Sequence, residues 1–151
     1  MKRNRKIGNQ DAALVNITKT TVRFSEVDSM MVVWHGEYVR YFEDGREAFG
    51  RQYSGIGYLD FFTNGYTAPI VDLQVQYIAP LSVNDIAIIE TRFIDSKSSK
   101  LCFEYIIHRQ SDGALVARGS SIQVFLDKDG NMCLNTPTFF EEWKKRWINQ
   151  E

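Results

Sequence analysis

Between Leu14 and Phe24 apolar and polar positions alternate and Val, Ile and Thr dominate, which predicts a β-strand. Ser25 to Met31 breaks the alternation and predicts a loop or short turn. The period then changes. Tyr38, Phe42, Gly45 and Phe49 recur every three to four residues, with Val39, Tyr41 and Ala48 beside them. Arg40, Glu43, Asp44, Arg46, Glu47 and Arg51 fill most other positions, so the pattern predicts an amphipathic helix from about His35 to about Arg51. Glycine inside a helix costs about 1 kcal/mol relative to alanine. Gly45 therefore has two readings: a sheet packs closely against the helix there, or the glycine is merely tolerated.

The stretch Ser54 to Thr67 holds three glycines, an asparagine and several aromatics, and reads as a long, partly ordered connection. Strand periodicity then returns. Ile70 to Ala79 places Val71, Leu73, Val75 and Tyr77 on one face, and Pro80 ends the segment. Further strands are predicted at Asp85–Ile94, at Leu101–Arg109 with Leu101, Phe103, Tyr105 and Ile107 on one face, and at Ala114–Leu126. Polar turns separate them, and Ser111-Asp112-Gly113 has the composition of a tight hairpin. At the end, Thr138 and Glu141 have capping-box spacing, and Phe139, Trp143 and Trp147 share a helical face.

This order predicts an α+β fold: a mostly antiparallel five-stranded sheet, a central helix on one face and a short C-terminal helix. The first strand is cut off from the others by the helix and must rejoin the sheet. One helix cannot cover both faces of such a sheet, so its other face or its edge needs a partner. Oligomerisation follows as the expectation.

Composition narrows the function classes. With 151 residues the chain has the length of one domain, read as residues 13–151 behind a flexible polar tail at 1–12. A net charge of −1 supplies no field to attract nucleic acid, and the basic cluster Lys2, Arg3, Arg5, Lys6 reads as solvated tail. Cys102 and Cys133 lack the spacing of a metal site, and two histidines 73 positions apart do not suggest zinc. No signal-peptide run and no apolar stretch of membrane-spanning length is visible, so the expectation is a cytoplasmic protein with reduced thiols and no membrane partner. A serine-hydrolase elbow and a Gly-rich phosphate loop are both missing.

The stretch from Arg23 to Arg46, with Asp28, Val32, Val33, Trp34, His35, Tyr38, Glu43 and Arg46 in order, resembles the signature of the 4-hydroxybenzoyl-CoA thioesterase-like group of hotdog proteins. In that group an aspartate ends the first strand. A short loop follows, then a valine pair, an aromatic, and a tyrosine on the central helix. Tyr77, Pro80 and Asp85 resemble the family's pattern at its second strand, and the element order agrees from about residue 14 to 147. The resemblance implies the hotdog fold, a homodimer or homotetramer with active sites between subunits, and acyl-CoA thioester hydrolysis. It implies no separate cofactor, because CoA is part of the substrate. It assigns catalysis to Asp28, with His35 beside it, and substrate binding to Met31, Val33, Trp34 and Tyr38. The loop departs from the family in one respect: Met30 and Met31 stand where members commonly carry glycine. Glycine permits positive φ and close substrate approach, whereas methionine supplies an adaptable pocket wall.

The chemistry suits these residues. Thioester hydrolysis needs an activated water or a nucleophile, and donors for the oxyanion. A carboxylate at Asp28 serves as general base or as nucleophile through a mixed anhydride, and both routes stay open. The first N–H groups of a helix are unpaired and favour negative charge, so the helix beginning near His35 supplies the donors. From spacing alone Asp28 reads equally well as a loop or capping residue; the resemblance favours catalysis. His35 also reads as a capping or packing residue, Trp34 and Tyr38 as core aromatics, and Glu43 with Arg46 as a structural ion pair three residues apart. Lys97, Lys100 and Arg118 are candidate contacts for CoA phosphates. The alternative function is a hotdog protein that binds acyl-CoA without hydrolysing it, prompted by Met30 and Met31.

Overall fold

The computed structural model describes residues 11–148, so the basic cluster and most of the expected tail lie outside the described residues. Five antiparallel strands form one sheet: β1 (Leu14–Thr21), β2 (Ile70–Tyr77), β3 (Ile86–Ile94), β4 (Lys100–Arg109) and β5 (Leu115–Val124). Their order is β1-β3-β4-β5-β2, so the isolated first strand rejoins the sheet beside β3 as expected. Helix α1 (Glu37–Gln52) lies on one face, a short α2 (Tyr58–Thr63) follows, and α3 (Thr138–Trp147) ends the chain.

Alternation decides which side chains meet α1. Leu101, Phe103, Tyr105 and Ile107 of β4 all point to the helix side and are buried. Their partners across β3 are Phe93, Thr91 and Ile89, buried as well. From α1 come Tyr38, Tyr41, Phe42, Gly45 and Phe49. Phe42 stacks on Tyr105 with centroids 4.3 Å apart, and Phe49 meets Phe103 edge-on at 5.1 Å. Burying each such ring contributes roughly 1.5–3 kcal/mol. Two glycines permit the close approach. A Cβ on Gly45 would overlap Thr91 Oγ1 and come within 3.0 Å of Ile89 Cγ2, so of its two readings the tightly packed one holds. A Cβ on Gly119 would overlap the Phe42 ring.

Three expectations from the pattern need correction. The first strand stops at Thr21, and a 3-10 turn over Phe24–Glu26 replaces its last residues, because Glu26 turns its carboxylate back onto the Arg23 N–H at 2.8 Å. The connection after α1 contains α2, which Asp60 caps by accepting the Gly57 N–H at 2.7 Å while Phe61 packs on Phe125 and Phe139. Thr138 is not a cap: Pro137 occupies the N-cap position, and its carbonyl accepts from Phe140 and Glu141. On α3 the buried pair is Phe140 and Trp143, which closes the core against Phe93.

Among the described residues, no further strand pairs with either sheet edge, β1 or β2. Strand β2 is the unusual one. Ile70, Val71, Leu73 and Tyr77 are all substantially exposed along it. Among the described residues, no helix is long and apolar enough to cross a membrane.

Candidate active site

Asp28 sits at the turn of a miniature hairpin. The Trp34 N–H donates to Glu26 O at 3.1 Å, Val27 and Val33 form a bridge, and the Asp28 N–H donates to Val32 O at 2.9 Å. The chain reverses over Ser29 and Met30, with the Met31 N–H donating to Asp28 O at 2.9 Å. Asp28 Oδ1 accepts the Met30 N–H at 2.8 Å, a side-chain turn that short acidic residues favour. The carboxylate accepts no other hydrogen bond among the described residues, and the residue is half-buried. One oxygen is thus held by the loop while the other remains available.

Met31 completes the turn at φ 66°, the left-handed region. The loop therefore keeps the backbone shape that glycine adopts without strain, here with a methionine. A left-handed conformation costs a non-glycine residue roughly 1–2 kcal/mol, and glycine's larger unfolded-state entropy returns roughly 0.5–1 kcal/mol of that. Met31→Gly is therefore expected to raise stability by about 0.5–1 kcal/mol in urea unfolding. A loss of stability would show that the half-exposed methionine side chain makes contacts that matter more than its backbone.

The return arm of the hairpin leads straight into α1. Val33 N–H donates to Leu81 O at 2.8 Å, and Val32 bridges Ser82, so the arm is tied to the segment before β3. Gly36 is the N-cap of α1 and has no side chain to satisfy the helix start. Among the described residues, the N–H groups of His35 and Gly36 donate to no backbone carbonyl. Trp34 explains the glycine: a Cβ on Gly36 would run into the indole ring, which is folded over it. That ring also meets His35 edge-on at 5.2 Å.

The named site residues fall into two groups. Met31, Trp34 and His35 are exposed around the hairpin and helix start, and Met30 and Phe24 extend this apolar surface. Val33 and Tyr38 are instead buried in the core behind it. The Tyr38 phenol is pushed up to about 12, first by burial and then by Tyr77, so it stays neutral at physiological pH. Glu43 and Arg46 approach to 3.9 Å, and Arg46 also reaches Gln123 at 3.4 Å, which fits a structural pair.

The sequence pattern missed two acids. Glu26 and Glu37 are both buried, although charged residues at a turn and a helix start read as solvated. Glu26 accepts the Tyr41 hydroxyl at 3.2 Å, which fastens the hairpin to α1. Burial first, and then Glu26, raises the Tyr41 pKa, so it remains a donor. Tyr77 was also missed as a site residue: its hydroxyl donates to the His35 carbonyl at 2.7 Å.

A separate cavity of about 890 Å³ lies along the second half of α1, between α2, the Tyr66–Pro69 stretch and β4. Its size is that of a ligand pocket. Ile56, Phe61, Tyr66, Leu101 and Phe103 give it an apolar lining, with Glu43, Arg46 and Arg51 among its charged residues.

The family model of the thioesterase-like superfamily matches residues 22–148, from the start of the hairpin region to the last described residue. The chain belongs to the thioesterase-like superfamily. The putative acyl-CoA thioesterase YneP of Bacillus subtilis is 29% identical over 122 residues, covering 81% of this chain and 87% of that protein. A Staphylococcus aureus protein solved in complex with CoA superposes with a TM-score of 0.78 at 15% identity, covering 95% of this chain and 90% of that one. A 4-hydroxybenzoyl-CoA thioesterase variant complexed with 4-hydroxybenzoyl-CoA superposes at 0.74 with 19% identity, covering 85% and 97%. The structural neighbours establish the hotdog fold that the resemblance implied. Membership in the thioesterase-like superfamily supports the expected enzyme class, a thioester hydrolase.

Proposed function

We propose that the protein hydrolyses acyl-CoA thioesters to the free acid and CoA, using Asp28 as the reacting carboxylate and the N–H groups at the start of α1 as oxyanion donors. One observation supports this reading: the hairpin that holds Asp28 by one oxygen runs directly into a helix start where, among the described residues, the His35 and Gly36 N–H groups meet no backbone acceptor. In the general-base route Asp28 takes a proton from water as the water oxygen bonds to the thioester carbon. The carbonyl oxygen gains charge against the helix start, the C–S bond breaks, and the proton passes to the departing thiolate. In the nucleophilic route Asp28 bonds to that carbon first and the C–S bond breaks to release the thiolate; water then opens the anhydride, freeing the acid and the Asp28 carboxylate and giving up a proton that the thiolate takes. His35 borders the helix start and positions water or substrate. Met31 and Trp34 border the acyl group, and Val33 and Tyr38 support that wall from the core.

The reading includes a partner copy. Exposed apolar edges such as β2 are covered in stable proteins. A two-fold, antiparallel pairing of β2 with its copy brings the Ile70 end of one strand beside the Tyr77 end of the other. The Tyr77 end carries the His35 carbonyl, and the Ile70 end follows Pro69 of the large cavity. Within one chain that cavity starts at Glu43, roughly 9 Å of helix rise beyond Glu37. Pairing therefore sets the partner's cavity beside this chain's Asp28, with the pantetheine running between subunits. CoA arrives as part of the substrate, no cofactor takes part, and the cytoplasm suits the free thiols Cys102 and Cys133. Residues 13–151 act as a single domain in this reading.

Thiol release from short, long and aromatic acyl-CoAs, measured beside the oligomeric state by light scattering, tests the proposal. Turnover of at least one class by a dimer or tetramer is expected. Binding of intact thioester without turnover would favour the non-hydrolytic reading that Met30 and Met31 prompt. A monomer would remove the composite site.

A further inference from the structure

Tyr77 ends β2, the exposed edge strand, yet its hydroxyl reaches across to the turn before α1 and donates to the His35 carbonyl at 2.7 Å. Its ring packs edge-on against Tyr38, with centroids 5.2 Å apart and planes at 89°. One side chain therefore grips both the peptide that precedes the helix and the helix's first turn.

That peptide joins His35 to Gly36. A trans peptide is planar, and its C=O and N–H point in opposite directions. Fixing the His35 carbonyl toward Tyr77 consequently fixes the Gly36 N–H away from it. Gly36 is the N-cap of α1, and its N–H meets no backbone acceptor among the described residues. A hydrogen bond received at the carbonyl also polarises the amide and strengthens its N–H as a donor. The Trp34 indole covers Gly36 from one side, but among the described residues the helix has no side-chain cap hydrogen bond, and Gly36 has no side chain of its own.

We infer that Tyr77 is a positioning residue of the thioesterase site, setting the direction and donor strength of the Gly36 N–H without touching substrate. The inference rests on the hydrolytic reading above. It adds a residue outside the hairpin and α1, and it connects the β2 edge to the oxyanion donors through a single hydrogen bond.

Tyr77→Phe isolates the claim, because it removes one oxygen and keeps the ring against Tyr38. Tyr77 is 52% exposed, so the change leaves the core intact. Deleting an oxyanion donor outright costs about 100- to 1,000-fold in kcat. Here the donor stays but is loosened, so kcat is expected to fall about 10- to 100-fold with KM within about twofold. In the wild-type protein the Gly36 amide proton resonance is expected downfield, and in Tyr77→Phe it moves upfield, a readout independent of turnover. An unmoved Gly36 resonance overturns the inference whether or not the wild type hydrolyses thioesters. So does a kcat within twofold of an active wild type. A loss of activity that returns on raising protein concentration would trace to assembly at β2 and overturn it too. An inactive wild type with a shifted resonance would defeat the hydrolytic reading while leaving the Tyr77–Gly36 coupling standing.

Discussion

Gly119→Ala is expected to destabilise the protein by about 1–2 kcal/mol, lowering Tm by roughly 2–8 °C. The reason is geometric. Gly119 lies opposite Tyr105 in the β4–β5 ladder, and the Phe42 ring fills the space that its side chain would take. That ring cannot retreat, because it is buried and already stacked on Tyr105 at 4.3 Å. The backbone carbonyl of Gln74 lies 3.0 Å from the added carbon on the other side. Alanine fits a strand somewhat better than glycine, a gain of under about 1 kcal/mol, which overpacking of 1–3 kcal/mol outweighs. Thermal unfolding beside wild type measures the difference. A variant as stable as wild type would mean that α1 lies farther from the sheet than described.

Such contacts mark the boundary of what the chain discloses by itself. Alternation revealed β4 because one of its faces lies against α1: Leu101, Phe103, Tyr105 and Ile107 are all buried as their spacing implied. The three-to-four residue recurrence revealed α1 for the same reason. Helix α2 escaped because its six residues are too few to show a period, and its Gly57–Asp60 cap carries no signature stronger than any other glycine-rich loop. Strand β2 alternates like the others, yet it lies at an edge with its apolar residues exposed. Strand order is a tertiary property, and no local pattern distinguishes an edge strand from an inner one.

The site divides along the same line. Asp28 became a candidate through its resemblance, and its side-chain turn to Met30 is a local feature that an aspartate at the start of an open loop can signal. Glu26, Tyr41 and Tyr77 were not legible as site residues. Their hydrogen bonds span 15 and 42 residues of chain, and only folding brings those groups together. Glycine, usual in this loop, adopts a positive φ freely, and methionine does not. The φ of Met31 shows that the surrounding hairpin imposes the left-handed turn regardless.

Asp28→Asn is expected to reduce kcat by about 100- to 10,000-fold, the loss typical of a removed general base. The substitution suits the geometry of the loop. Asparagine's side-chain oxygen can accept the Met30 N–H as Asp28 Oδ1 does, and asparagine tolerates the same turn. The hairpin therefore survives, and the change removes the negative charge and the basic oxygen alone. Asp28→Ala would remove the turn as well, so its effect would mix loss of chemistry with loss of structure. If Asp28 is the nucleophile, asparagine is equally inert, and the expected loss is at least as large.

The most direct test is the rate of thiol release from the best acyl-CoA substrate at saturation, for wild type and Asp28→Asn with matched thermal unfolding. A fall of at least about 100-fold with Tm unchanged is expected if Asp28 is the reacting carboxylate. Equal rates from the two proteins would contradict that role and place the reacting group elsewhere.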